Sequence, residues 1–236
     1  MSIIQARKNP SARIDAGNHV LEAAKTVDTR SVKAKLAAFA KVHATFVAAH
    51  AVVAKAEHAL HDAHDALGQA DAEQDAAVHA LAAKMIGDGA LKANPFKPFG
   101  LPAPSDVATT AVEKELVLTA KLAALASKWK SATTGTRQAA ALLAKKSAGT
   151  KKALDRVGPL QTAQTAAIAR RDAIGVSWAR AFAHLKNATR TAEDDGARGL
   201  FTAMFAVASV PSGRRVRGAD AGSSAPAATP GQTRQG

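Results

Sequence analysis

The sequence predicts an all-α protein: an elongated, coiled-coil-like antiparallel helical bundle with one very long helix, from about 30 to 86, and a disordered C-terminal tail. Three observations carry that prediction. Phe39, Phe46, Val53, Leu60, Leu67 and Leu81 share one seven-residue register, interrupted only at Gln74. A second register runs three residues behind it, through Val42 and then Ala49, Ala56, Ala63, Ala70 and Ala77. Large and small apolar residues alternating at heptad spacing form the seam of a helix lying close along a partner helix. About a quarter of the chain is alanine and only 4% is aromatic. Such a composition favours many thin helix contacts over a thick globular core.

Taken in chain order, residues 1–10 form an arm that ends at Asn9-Pro10. A short helix is expected from Ala12 to about Val27, followed by Asp28-Thr29 as the cap of the long helix. Gly87-Asp88-Gly89 ends that helix, and residues 88–104 form a linker whose prolines forbid helix. Phe96, Phe99 and Leu101 predict that this linker packs against an end of the bundle. Ser105-Asp106 caps the next helix, bearing Leu116, Leu118, Leu122, Leu125 and Trp129. Thr133-Thr134-Gly135 marks a turn, followed by a basic helix from about Arg137 to Val157. Gly158-Pro159 is expected to end it and start another helix, reaching about Asp195, with Ile174, Trp178, Ala181 and Leu185 at core spacing. Gly196 and Gly199 break that helix before an apolar segment around Leu200, Phe201, Met204 and Phe205, expected to dock on the bundle's own end. Residues 211–236 read as a basic low-complexity tail.

Two hairpin halves, 11–87 and 105–210, thus make up a bundle spanning 11–210. A faint repeat at an offset of 120 matches Glu73, Asp75, Leu81 and His64 to Glu193, Asp195, Phe201 and His184. It implies a duplicated hairpin with pseudo-twofold order.

The seam is about six heptads long, longer than the leading helix can cover. The later helices or another subunit must cover the rest. Its packing residues are Phe39, Val42, Phe46, Ala49, Val53, Ala56, Leu60, Ala63, Leu67 and Ala70. Replacing Ala56 and Ala63 with Leu is expected to wedge the helices apart.

Function is less legible. The chain has no cysteine, which excludes disulfides, thiolate metal sites and cysteine nucleophiles. Met1 to Arg13 lacks an apolar core of signal-peptide length, and no apolar run reaches membrane-spanning length, so a cytoplasmic location or a place within an assembled particle is expected. No phosphate loop or nucleophile elbow is recognisable, and the expectation is no enzyme, no metal and no cofactor.

His58, His61, Asp62 and Asp65 share one helical face with metal-ligand residue types. His43, His50 and His64, however, lie on a register with Glu57 and Asp71 beside the alanines. The favoured reading is a polar shoulder that shields the seam.

The net charge is +13. Between Lys128 and Arg156 eight basic residues face one acid, Asp155, and a solvated helix face is favoured over a ligand site. The candidate polyanion contacts are Lys145, Lys146, Lys151 and Lys152, with Arg214, Arg215 and Arg217 in the tail. In composition, the alanine- and lysine-rich helices with a basic Gly/Pro tail resemble chromatin-type proteins, which implies a nucleic-acid partner. Acidic residues 57–75 and the basic stretches can set register between subunits or pair neighbouring helices within one bundle; both remain open. The expected role is a non-catalytic structural or scaffold protein that self-associates or joins an assembly. The rival is a basic DNA-compacting or coating protein.

Overall fold

The computed structural model describes residues 2–5 and 9–207. Six helices make up nearly all of it: α1 (Pro10–Ala24), α2 (Lys33–Gly87), α3 (Pro104–Ala108), α4 (Val112–Ser127), α5 (Thr134–Asp194) and α6 (Leu200–Phe205). The antiparallel pair α2/α5 is the axis of the molecule. With 55 and 61 residues, the two helices are about 80 and 90 Å long at 1.5 Å per residue.

Side-by-side contacts keep one register from end to end. Trp178 meets His43, Lys146 meets Glu73 and Thr150 meets Ala70, so facing residue numbers sum to about 220 throughout. The seam expected on α2 is therefore covered by a single helix of the same chain.

Helices α1 and α4 sit at opposite ends of this pair, on the same flank. At the first end α1, the start of α2, the last turns of α5 and α6 enclose Val20, Phe39, Phe46, Trp178, Phe182, Leu185 and Phe205. At the second end α4, the end of α2, the first turns of α5 and the linker enclose Val78, Leu81, Met85, Phe96, Leu122 and Leu143. Between them lies a waist where two helices run alone. There Ala63 is the only buried residue on α2 between Val53 and Gln74, and α5 buries none between Thr150 and Gly175.

Local chemistry sets most helix limits. Asn9 accepts hydrogen bonds from the backbone N–H groups of Ser11 (2.9 Å) and Ala12 (3.3 Å), with Pro10 in the first turn of α1. Asp28 accepts from the Arg30 backbone (3.0 Å) and holds its guanidinium, starting a short 3-10 turn, Arg30–Val32, that leads into α2. That guanidinium also lowers the Asp28 carboxyl to about 2. The Asp88 carboxylate takes three bonds from the start of α5: Thr133 N–H (2.8 Å), Thr133 O–H (3.1 Å) and Thr136 O–H (2.7 Å). Phe96 and Leu101 of the linker are buried against the second end, and Leu200, Met204 and Phe205 against the first.

Four expectations are corrected. Gly158-Pro159 does not divide the chain, because α5 runs through both residues. The proline costs one backbone hydrogen bond, but Pro159 points to solvent, and the long contact with α2 on either side holds the helix together. Second, Ser105-Asp106 does not cap one helix. Residues 104–108 form the short α3, and Thr109 and Thr110 turn their hydroxyls back onto Ser105 O and Asp106 O, breaking the chain before α4. Third, the N-terminal arm is partly docked: Ser2–Ile3 (β1) pairs antiparallel with Ala206–Val207 (β2), and Ile4 N–H donates to Phe205 O at 2.9 Å. Fourth, α2 with its preceding turn, Arg30–Gly87, does contain an 18-residue stretch with a mean hydropathy of 1.5, long and apolar enough to cross a membrane by length and composition. In this structure the same helix lies along α5.

Candidate functional site

Helix α5 has a heptad register of its own. Leu143, Thr150, Val157, Trp178 and Leu185 lie on one row, and Ala140, Ser147, Leu154, Ile168 and Phe182 on another. Its buried members match the seam of α2. Phe39, Phe46, Val53 and Ala63 are buried, while Val42 is half-buried at the edge of the first end and Ala49, Ala56, Leu60, Leu67 and Ala70 are half-buried along the two-helix stretch.

The expected polar shoulder divides in two. His43 is buried, since α1 closes over it. The Trp178 indole N–H donates to His43 Nδ1 at 3.0 Å, which places the ring proton on Nε2, 2.9 Å from Asn18 Oδ1. Burial holds this imidazole below its ordinary pKa, so it is neutral. A Cβ on Gly17 would collide with the His43 ring, so only glycine lets α1 approach this closely. Phe39 packs edge-on to Trp178 at 5.7 Å, and Trp178 stacks on Phe182 at 4.9 Å. His50 is half-buried, whereas His58, His61, Asp62, His64 and Asp65 are exposed on the waist, with His61 3.3 Å from Asp65. Among the described residues no three ligand-type side chains are arranged to hold a metal ion.

At the other end the same flank of α2 carries carboxylates. Gln74, which interrupts the apolar register, is fully buried, and its amide donates to Glu115 of α4 at 2.7 Å. Glu115 is 1% exposed. Loss of solvent raises its carboxyl to about 7 against the opposing effect of the Gln74 bond, and the charges of Asp75 and Asp71 add to the rise. Asp71 is also raised, first by burial and then by Asp75. Oxygens of Asp71, Gln74, Asp75 and Glu115 are buried without a hydrogen-bond partner. Beside them the hydroxyls of Thr119 and Ser147 pair at 3.0 Å, and Thr150 donates to Ala70 O. This buried polar layer was not recognised from the sequence. Glu115 standing on one stripe with Thr119, Leu122 and Ala126 was the available signal, together with the gap at Gln74.

The candidate polyanion contacts do not converge. Lys146 is half-buried and bridges to Glu73 at 2.7 Å, and Lys151 bonds Asp155 at 2.9 Å. Lys145 and Lys152 are exposed on the outer face of α5, one heptad apart. Arg214, Arg215 and Arg217, with the whole tail 211–236, lie outside the described residues. The acidic stretch of α2 lies beside the basic stretch of α5, so opposite charges neighbour each other within one chain. Open grooves flank the rod. One, of about 520 Å³, is lined mainly by α4 and α5 alanines with Arg137 and Lys151 at its edges. No family model, curated protein or solved structure matches the chain.

Proposed function

We propose that the protein is a non-catalytic structural element, a rod that self-associates or joins a larger assembly by helix–helix packing, in the cytoplasm or within an assembled particle. The observation that carries this reading is the use made of the polar groups. His43, Gln74, Glu115, Asp88 and Thr150 each hydrogen-bond to another helix of the rod, and none is presented to a groove as a reacting group. Sedimentation velocity between about 1 and 100 µM tests the reading. A rise in the sedimentation coefficient with concentration supports it, and a monomer throughout contradicts self-association.

A second reading rests on charge segregation. Helix α5 carries eleven basic and four acidic residues, against five and six on α2. Lys145, Lys152, Arg156, Arg170 and Arg180 are exposed along it, a spacing suited to a polyanion such as duplex DNA. A gel shift with random duplex at several salt concentrations decides it. Binding that weakens steeply with salt favours the coating role, and its absence leaves the structural role alone.

A further inference from the structure

An antiparallel helix pair has two flanks beside its seam, and here they differ. One flank is covered at the first end by α1, through Gly17 and Asn18 on His43, and at the second by α4, through Glu115 on Gln74 and Thr119 on Ser147. The opposite flank is built from the residues one step before each large-residue register. On α2 these run from Thr45 through Val52, Ala59 and Ala66 to Glu73, and on α5 from Lys146 through Leu160 and Ala167 to Ile174. A groove of about 180 Å³ on this flank is lined by residues of α2 and α5 alone.

Flanking positions of a solvated coiled coil are normally charged. Of the ten here, only Glu73 and Lys146 carry charge, and these two bridge each other at 2.7 Å, while Arg156 and Arg170 stand one step further out on the exposed rim of α5. Large apolar side chains stand open: Val52 is 55% exposed and Leu142, at the rim, 45%. An apolar strip of this length, about 40 Å from Thr45 to Glu73, is the surface of a helix pair that lacks its counterpart.

We infer that this flank is the interface with a second copy of the chain, related by a twofold axis parallel to the rod, so that the two pairs complete a four-helix layer. The inference rests on the structural reading above and specifies its surface. The charges identify the occupant. With that axis, α2 of one copy lies over α5 of the other at the same height, where residue numbers again sum to about 220. Glu73 of each copy then faces Lys146 of the other, and Asp62 faces Arg156. Lys55 and Arg170, also on the rim, meet the uncharged Ala163 and Ala48. Each of these charges meets an opposite charge or an uncharged residue, the self-complementarity an isologous contact requires.

Sedimentation velocity of the full chain and of Ala66→Arg tests the interface. Ala66 is exposed, so the variant keeps the helical content of the parent by circular dichroism. Its dimer dissociation constant is expected to rise about 100-fold or more, as two cations are forced into an apolar contact. Ala51→Arg, on the outer face of α2, is expected to leave it unchanged. Glu73→Lys weakens the dimer, and Glu73→Lys with Lys146→Glu restores it, which keeps the test decisive should Ala66→Arg misfold. A dimer that survives both Ala66→Arg and Glu73→Lys overturns this interface while leaving the assembly role standing. A parent chain that stays monomeric to about 100 µM overturns both this interface and self-association.

Discussion

The two ends of the rod share one construction and differ in chemistry. Each places a short helix over the same flank of the α2/α5 pair, closes the layer with the segment that follows the other long helix, and buries polar side chains beneath the short helix. At the first end those are neutral and bonded in a chain, Trp178 to His43 to Asn18. At the second they are three carboxylates around one amide, with oxygens left unbonded. The difference gives the ends opposite responses to pH. Burial lowers the His43 pKa, so the unfolded chain takes up a proton that the folded site refuses, and the first end loses stability as pH falls below about 6.5. Glu115 binds its proton more tightly folded than unfolded. The stability it contributes is complete below about 4.5 and is lost as pH rises through about 7.

The largest way to break the comparison is Trp178→Ala, which removes the centre of the aromatic cluster and leaves His43 Nδ1 without its donor. A loss of about 3–5 kcal/mol is expected at the first end. Trp129, packed edge-on to Phe99 at the second end, is then the single tryptophan and reports that end separately in urea denaturation. If the thin waist couples the ends weakly, hydrogen exchange rises in α1 and the C-terminal third of α5, while the Trp129 transition moves little.

The next effect sharpens the contrast. Glu115→Gln keeps the shape of the side chain and removes its charge, so at pH 8 it is expected to stabilise the protein by about 1–3 kcal/mol. The decline of stability between about pH 4.5 and 7 should flatten with it. Denaturant midpoints measured at pH 5 and 8 for parent and variant check both statements, and a destabilised variant at pH 8 would show that the charged carboxylate is needed. The smallest effect lies between the ends. Pro159→Ala restores the backbone bond to Asp155 and is expected to raise stability by about 1–2 kcal/mol, the remainder of the proline cost being offset by a more flexible unfolded chain. Thermal unfolding measures it.

Architecture was legible because it is periodic. Phe39, Phe46 and Val53 recur at a spacing that only a helix with a close neighbour explains, and the alanine row three behind them states how close that neighbour lies. The continuity of α5 was not legible at Pro159, because a proline rule considers one turn of helix, whereas the interfaces on either side span many. Splitting the helix there also concealed its second heptad row, with Ser147, Leu154 and Phe182. Among the buried polar groups, His43 resembles its exposed register mates His64 and Glu57. Only the arrival of α1, with a glycine at position 17, separates them. Asp71 and Glu115 lie 44 residues apart in sequence, and nothing local to either announces the other.

One register running unbroken from the aromatic end to the carboxylate end, through a waist of two helices, is the premise on which the rest depends. Since the chain lacks cysteine, paired cysteines can be placed at will. Ala63→Cys with Val157→Cys should cross-link within a single chain on mild oxidation, because their numbers sum to 220. Ala63→Cys with Leu143→Cys, about 20 Å further along α5, should not. Cross-linking of the second pair in preference to the first would contradict the account.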